Sequence, residues 1–183
     1  MLEFSSYIAG ALKRKLPADV AERARIHLVD TFAAMLSGSR LFPGKRAIAY
    51  VKPYAGTREA GVIGSRVVTS ALYAALANGT CGHADETDDT HPPSRTHPGT
   101  VVIPAVLAIA EREQLSGEKI LRALVLGYDI CTRVGLALKQ EHLRKTGHNG
   151  TSKGGMFGAA AAAGALLNLD ALRIRYVMSY CAQ

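Results

Sequence analysis

The sequence contains no tryptophan, and aromatic residues make up only 6% of its 183 residues. Apolar residues nevertheless account for 48% and charged residues for 20%, a balance typical of globular proteins and not of disordered chains. The core must therefore be built mainly from alanine, leucine, valine and isoleucine. Such side chains favour helices that pack closely against one another.

Cysteine is also scarce, and the three residues Cys81, Cys131 and Cys181 are far apart in the sequence. Because no CxxC pair exists, the spacing indicates neither a disulfide framework nor a zinc site. No stretch approaches the roughly 20 apolar residues that span a bilayer, and Glu3 interrupts any apolar signal segment at the N-terminus. We therefore predict a cytoplasmic protein that does not associate with a membrane.

The formal charge of +7 is not concentrated in one basic patch. Lys13–Lys15 and Arg144–Lys145 are short, separate runs without interleaved aromatic residues. A nucleic-acid-binding protein would be expected to cluster such residues, so no nucleic-acid partner is predicted. The charge permits the steering of anionic substrates but does not demonstrate it.

The spacing of apolar residues is mostly that of α-helices. Helices are predicted over 4–15, from Pro17 to Gly38, over 41–53, from Thr69 or Ser70 through Ala77, over 100–112, over 117–138 and from near Asp170 onward. The segment Ala60–Gly64 is the one plausible extended piece. The sequence contains no stretch typical of a linker. We therefore predict a single all-α helical bundle with closely packed, alanine-rich helices.

One polar loop, residues 83–99, holds four acids and three of the six histidines. Crowded acids raise one another's pKa and nearby histidines lower it, which yields proton donors and acceptors that work near neutral pH. Three interpretations remain open: a metal site, helix capping combined with turn formation, and part of an active site. We favour the active site, since capping requires one or two acids and no familiar metal-ligand spacing is present.

A second polar segment, residues 147–158, is rich in glycine and leads into a run of alanines. Glycines let a backbone approach a ligand, and a helix N-terminus attracts anions. Lys153 adds a full positive charge, so the segment is predicted to bind a carboxylate or a phosphate. It has neither the order of a Walker A loop nor the preceding strand of a dinucleotide-binding fingerprint.

Taken in order, these two segments resemble the MmgE/PrpD family. The stretch His83–Gly99 follows the family form H-A-x-D/E-x-D-D-T-H-x-P-x-x-T-H-P-G, and His148 with Gly155–Ala162 is similar to the family's second motif. The resemblance implies that residues 1–183 are the N-terminal part of the family's helical domain. It also implies that a catalytic lysine, further helices and a lid domain lie beyond Gln183.

The resemblance carries specific roles over to matching positions. It implies catalytic roles for Glu86, Thr90, His97 and His148, and substrate contacts for Asp89, Lys153 and Gly154. Within this set His97 and His148 are expected to exchange protons with the substrate. Asp88 and Asp89 match an acid pair that is expected to shape the loop. Glu86 stands where many family members have aspartate.

The implied activity is that of a lyase, a dehydratase or decarboxylase acting on a small polycarboxylic acid such as 2-methylcitrate or cis-aconitate. Its acid–base chemistry next to a carboxylate would require no metal and no cofactor. An epimerase or isomerase of a dicarboxylate, a metal-dependent hydrolase and a truncated, non-catalytic helical module remain as alternatives. A homodimer is implied, or a separate chain that supplies the lid domain, because the last predicted helix presents apolar residues without a partner.

Overall fold

The computed structural model describes residues 2–138 and 140–183, and most of them lie in α-helices. The helices are α1 (Leu2–Ala11), α2 (Ala18–Gly38), α3 (Phe42–Val51), α4 (Ala71–Gly82), α5 (Pro98–Arg112), α6 (Gly117–Ala137), α7 (Gln140–Lys145), α8 (Gly150–Leu166) and α9 (Ala171–Cys181). A short 3-10 helix, Lys52–Tyr54, follows α3. The predicted all-α class is confirmed.

Side chains cap three of the helix starts that the sequence predicts. Ser70 accepts a hydrogen bond from the backbone N–H of Tyr73 at the start of α4, and Ser116 does the same for Lys119 at the start of α6. Asp170 caps α9. These caps satisfy backbone donors that have no partner within the helix, and the sequence predicts their positions correctly.

The only sheet within the described residues is a two-stranded one between α3 and α4. Strand β1 (Ala60–Gly61) pairs antiparallel with β2 (Val68–Thr69). The buried side chain of Asn78 on α4 holds this hairpin in place, because its Oδ1 accepts from the backbone N–H of Ile63 over 2.8 Å and its Nδ2 donates to the carbonyl of Gly61 over 3.0 Å. The predicted extended piece is therefore one half of a small hairpin.

The packing of α8 against α6 depends on glycines. A Cβ atom placed on Gly158 would lie 2.4 Å from the carbonyl oxygen of Gly127, and one on Gly154 would lie 2.6 Å from that of Cys131. Real Cβ atoms do not approach oxygen so closely. The two helices thus meet backbone to backbone, as expected for a core with few large side chains.

Two boundaries differ from the sequence prediction. Helix α1 ends at Ala11, short of the basic run that the prediction included. More importantly, α8 begins at Gly150, so most of the glycine-rich segment 147–158 is helical and not a loop. The prediction failed there because glycine lowers helix propensity, whereas close packing against α6 requires it at these positions.

Helix α9 lies against α1 and α8 with one face only. Ile174 and Met178 are fully buried in that contact, whereas Leu172, Tyr176 and Tyr180 are more than half exposed. The prediction that this helix retains an uncovered apolar face is therefore correct for the described chain. Among residues 2–138 and 140–183, no helix has both the length and the apolar character that crossing a membrane would require.

Candidate active site

A buried carboxylate lies between two histidine rings in the loop that joins α4 and α5. Oδ2 of Asp88 is 3.4 Å from Nδ1 of His97, and Oδ1 is 3.5 Å from Nδ1 of His83. The Asp88 side chain is fully buried, whereas both imidazoles reach solvent. The two ring centroids are 6.1 Å apart. One acid thus serves two potential proton carriers.

Burial raises the pKa of the Asp88 carboxyl above its ordinary value. The charges of His97 and His83 act in the opposite direction, because a positive imidazole stabilises the ionised carboxylate. The protonation of this acid is therefore coupled to that of its two neighbours. Such coupling is common where a site must hold and release protons.

His97 also contacts Thr90 and the start of α8. Oγ1 of Thr90 lies 3.4 Å from Nδ1 of His97, on the same ring nitrogen that faces Asp88. The backbone N–H of His97 donates to Oγ1 of Thr151 over 3.1 Å. This second contact joins the two polar segments through two residues that are 54 positions apart in the sequence. His97 itself is the residue that precedes the first turn of α5.

Asp89 points away from Asp88 and anchors the loop to the helices. Its Oδ1 accepts from the backbone N–H of Gly99 over 2.8 Å, and its Oδ2 accepts from the hydroxyl of Tyr128 over 2.7 Å. Nδ1 of His27 on α2 is 2.9 Å from the same Oδ2. Burial raises the pKa of Tyr128, with the Asp89 charge adding to the effect. These contacts shape the loop, and the predicted substrate contact of Asp89 stays a prediction.

A tight turn over residues 91–96 forms the base of the loop. The backbone N–H of His91 donates to the carbonyl of Thr96 over 2.9 Å, and the buried hydroxyl of Ser94 lies 2.7 Å from both Nδ1 of His91 and Oγ1 of Thr96. The turn sits directly on Gly135 of α6, where an added Cβ would come within 2.9 Å of it. Its position, and that of His97 next to it, is therefore fixed by packing.

The start of α8 carries its own cap. Oδ1 of Asn149 accepts from the backbone N–H of Thr151 over 2.7 Å and of Ser152 over 3.3 Å. The sequence predicts that free backbone amides of this segment bind an anion, but Asn149 already accepts from two of these amides. Gly154 is buried against Cys131 of α6, so the geometry gives it a packing role.

The other two residues that the sequence assigns to this segment lie at its surface or close to it. His148 is exposed, its backbone N–H donates to the carbonyl of Leu143 over 2.8 Å, and its Nδ1 lies 3.1 Å from Oγ1 of Thr146. Lys153 is half-buried within the first turns of α8. Glu86, in the first loop, is 3.7 Å from Nε2 of His83 and has a largely exposed side chain.

An open cleft of about 770 Å³ is lined by residues of both polar segments. His97, His148, Glu86 and Lys153 are not among its lining residues. One wall is apolar and comes from α4 and α5, with Leu76 and Pro104 among its residues. Polar residues from both segments line the cleft as well: His83, Asn149, Thr151 and Ser152. The first loop and the start of α8 thus contribute to one concave surface. Such a surface is the usual form of a small-molecule site.

The sequence of the chain matches a known family. A family model described as the MmgE/PrpD N-terminal domain matches residues 2–183. The chain belongs to the MmgE/PrpD family. The sequence-based identification is thereby confirmed over nearly the whole chain.

Named relatives within the MmgE/PrpD family are cis-aconitate decarboxylases. The chain is 32% identical to a cis-aconitate decarboxylase-like protein of Aspergillus oryzae, over 92% of this chain and 36% of that protein. It is 30% identical to the cis-aconitate decarboxylase of Aspergillus terreus, over 84% and 32%, and 28% identical to the human one, over 96% and 37%. The chain thus spans about a third of the length of these relatives.

Three residues of the candidate site received no catalytic or binding role from the sequence. His83 and Asp88 were visible in the motif, but only the fold shows that they are adjacent and that the Asp88 carboxylate is buried. Thr151 offered no signal of its own, since its contact with His97 depends on where α8 begins. Among the described residues, no group of three His, Cys, Asp or Glu side chains is placed to bind a metal ion.

Proposed function

We propose that this chain forms the acid–base wall of a lyase that acts on a small polycarboxylic acid, with cis-aconitate and 2-methylcitrate as the leading candidates. The observation that carries the proposal is the contact of buried Asp88 with His97, at the point where Thr151 ties His97 to α8. Support also comes from the named relatives, which are cis-aconitate decarboxylases.

The chemistry of such a lyase places negative charge on a carbon next to a carboxylate. Decarboxylation leaves that charge when carbon dioxide departs, and dehydration creates it when a proton is removed. A positioned imidazole can deliver or accept the proton within hydrogen-bond distance. Both side-chain contacts of the His97 ring, to Asp88 and to Thr90, involve Nδ1, so we assign the proton transfer to Nε2.

The remaining residues receive roles that match their positions. Thr90 orients the His97 ring through its hydroxyl. Glu86, on the exposed rim of the loop, is assigned a contact that orients the substrate. His148, just before α8, is assigned proton exchange with the substrate, as is His97. Lys153 supplies positive charge for a substrate carboxylate. Asp89 and Gly154 hold the elements around the site in place. Asp89 accepts from the backbone N–H of Gly99 at the start of α5, and Gly154 packs against α6.

The size and lining of the cleft suit this class of ligand. A volume of about 770 Å³ is within the usual range for small-molecule sites, which runs from about 300 to 1,000 Å³. Its polar groups would bind carboxylates, while the wall with Leu76 and Pro104 would contact the carbon chain. The cleft is open, so we propose that another segment or chain, acting as a lid, closes it during turnover. A homodimer is also proposed, because α9 leaves the apolar residues Leu172, Tyr176 and Tyr180 exposed.

A chimaeric enzyme tests the proposed function. In it, the part of this chain that aligns with the Aspergillus terreus decarboxylase, 84% of the chain, replaces the matching region of that enzyme. We expect the folded chimaera to release carbon dioxide from cis-aconitate or to dehydrate 2-methylcitrate. Replacing His97 or His148 by glutamine should lower turnover at least about 100-fold, because general acid–base groups contribute that much or more.

The matched control is Lys119→Gln, an exposed position at the start of α6 that is outside the cleft. It should leave turnover unchanged. A folded chimaera that turns over neither acid, or one in which both histidine variants keep full activity, would contradict the proposal. Incubation with iminodisuccinate in the same assay distinguishes an epimerase, whose product would replace those of the lyase.

A further inference from the structure

The two oxygens of Asp88 each face a different histidine, and each faces the same kind of ring nitrogen. Oδ2 is 3.4 Å from Nδ1 of His97, and Oδ1 is 3.5 Å from Nδ1 of His83. Because the carboxylate is fully buried, bulk water does not compete for these oxygens. Among the described residues neither oxygen has a hydrogen-bond partner, since both contacts are longer than an ordinary hydrogen bond. The two imidazoles are the neighbouring side chains that can supply one.

This geometry restricts the tautomer of each ring. An ionised carboxylate accepts hydrogen bonds but cannot donate them. A neutral imidazole that faces it with Nδ1 must carry its proton on that nitrogen, which leaves Nε2 as the basic one. His97 and His83 are thus expected in the same tautomer, both with the basic nitrogen turned away from Asp88.

We propose that Asp88 is a positioning residue that holds His83 and His97 in the Nδ1–H tautomer, and that His83 is a further proton-transfer group next to His97. This inference rests on the proposed function, because it assigns further residues to the same site. His83 lines the cleft together with Thr151 and Ser152, so its ring is exposed to a bound ligand.

The third histidine of the loop does not share this arrangement. Nδ1 of His91 lies 2.7 Å from the buried hydroxyl of Ser94, within the turn that rests on α6. Glu86 is 3.7 Å from Nε2 of His83, which is too long for a hydrogen bond, and its side chain is largely exposed. Nε2 of His83 is therefore open to water and to substrate.

Two imidazoles beside one carboxylate can share one positive charge, that is, one proton more than two neutral rings hold. For the elimination of water, one neutral ring takes the proton from carbon and becomes positive, while the other, already protonated, gives its proton to the departing hydroxyl and becomes neutral. The pair carries the same number of protons before and after, and Asp88 faces one positive ring throughout. The ring separation of 6.1 Å is suited to groups that act on neighbouring atoms of one small acid.

The tautomers of the 183-residue chain provide a direct test that does not require activity. Nitrogen-15 chemical shifts of the imidazoles, measured by NMR above the pH at which both rings are neutral, distinguish Nδ1–H from Nε2–H. We expect His83 and His97 both to be Nδ1–H in the unmodified chain. Finding either ring mainly as Nε2–H would overturn the proposal without any variant.

The variant Asp88→Asn makes the test sharper. An amide offers one acceptor oxygen and one donor nitrogen, so it cannot accept from both rings as a carboxylate does. One of the two histidines should therefore change to Nε2–H while the other remains Nδ1–H. If both stay Nδ1–H in a folded Asp88→Asn chain, Asp88 does not set the tautomer and the proposal is wrong.

The matched control is Asp85→Asn. Asp85 belongs to the same loop, but its carboxylate accepts from the hydroxyls of Ser37 and Thr87, each over 2.8 Å. This change should leave both tautomers as they are in the unmodified chain. A change of tautomer in Asp85→Asn equal to that in Asp88→Asn would mean that the loop as a whole, and not Asp88, fixes the rings.

The chimaeric enzyme tests the second half of the proposal. There, His83→Gln should lower kcat for dehydration about 100-fold or more and change KM much less, since general acid–base residues act on the chemical step. Unchanged kcat in His83→Gln, beside a large loss in His97→Gln, would remove His83 from proton transfer. An inactive chimaera with the expected tautomers would instead refute the proposed function.

Discussion

The backbone N–H of His97 donates to Oγ1 of Thr151, and this hydrogen bond of 3.1 Å links the loop before α5 to the first turn of α8. Because of this bond, the position of the His97 ring depends on where α8 begins. Asn149 fixes that beginning by capping α8. The hydrogen bond between His97 and Thr151 and the cap formed by Asn149 thus hold the site together.

Replacing Thr151 by valine tests this link. Valine has nearly the same shape but cannot accept from the backbone of His97, which is left without that partner. We expect the free energy of unfolding to fall by about 1 kcal/mol, the usual value for one hydrogen bond. Urea denaturation measures the loss, and Thr151→Ser, which keeps the hydroxyl, should restore most of it. Equal stabilities of the valine and serine variants would argue against the link.

Close packing of α6 and α8 leads to a second prediction. Gly158→Ala would place a Cβ 2.4 Å from the carbonyl oxygen of Gly127, so the helices must separate. We expect a loss of about 1–3 kcal/mol in the free energy of unfolding. The control is Gly10→Ala on α1, where nothing lies within 4 Å of the new atom. That change should stabilise the chain by about 0.5–1 kcal/mol, and thermal unfolding of both variants shows whether the signs differ.

Most of the helical architecture could be predicted from the sequence, because local signals agree with the tertiary contacts. Ser70, Ser116 and Asp170 mark helix starts that the structure confirms. The start of α8 was misplaced for a physical reason. Glycine at 150, 154 and 155 is read as a loop signal, yet at 154 it is required by the contact with α6. Packing across helices decides such positions, and a single sequence does not display it.

The site was predictable in part. The polar loop stood out by its unusual content of acids and histidines, and His97 and Thr90 are indeed in contact. The contact of Asp88 with His83 and His97 cannot be predicted from the sequence, because the four acids of the loop look alike there. Only the structure shows which of them is buried. Asp85 and Glu86 remain near solvent, whereas Asp88 is fully buried.

Cys131 gives a prediction about pH. Burial raises the pKa of its thiol from 9.0 to about 11. The unfolded chain therefore loses this proton at a lower pH than the folded one, and stability falls as pH rises from 9 toward 11. Relative to Cys131→Ala, the unmodified chain should lose roughly 2–3 kcal/mol of unfolding free energy across this range. The two proteins differ only at residue 131, so parallel stability curves would show that the thiol does not contribute.

Asn149 connects stability with ligand binding. Asn149→Ala removes the cap of α8 and should cost about 1 kcal/mol in the free energy of unfolding. Asn149→Asp keeps the cap, since a carboxylate accepts the same hydrogen bonds, but it places a negative charge on the wall of the cleft. We expect this variant to be as stable as the parent and to bind cis-aconitate several-fold more weakly. Isothermal titration calorimetry measures the affinity. Unchanged binding would mean that cis-aconitate binds outside this cleft.

The most direct measurement of the central claim is an NMR titration of the 183-residue chain with cis-aconitate. The account predicts that signals of His83, His97, Thr151 and Ser152 shift together, with one dissociation constant. A second cleft, lined by Lys15, Arg25 and Arg122, serves as an internal control because it offers positive charge without the histidine pair. Shifts confined to that second cleft, or to scattered basic residues, would contradict the claim that the two polar segments form one site for a polycarboxylic acid.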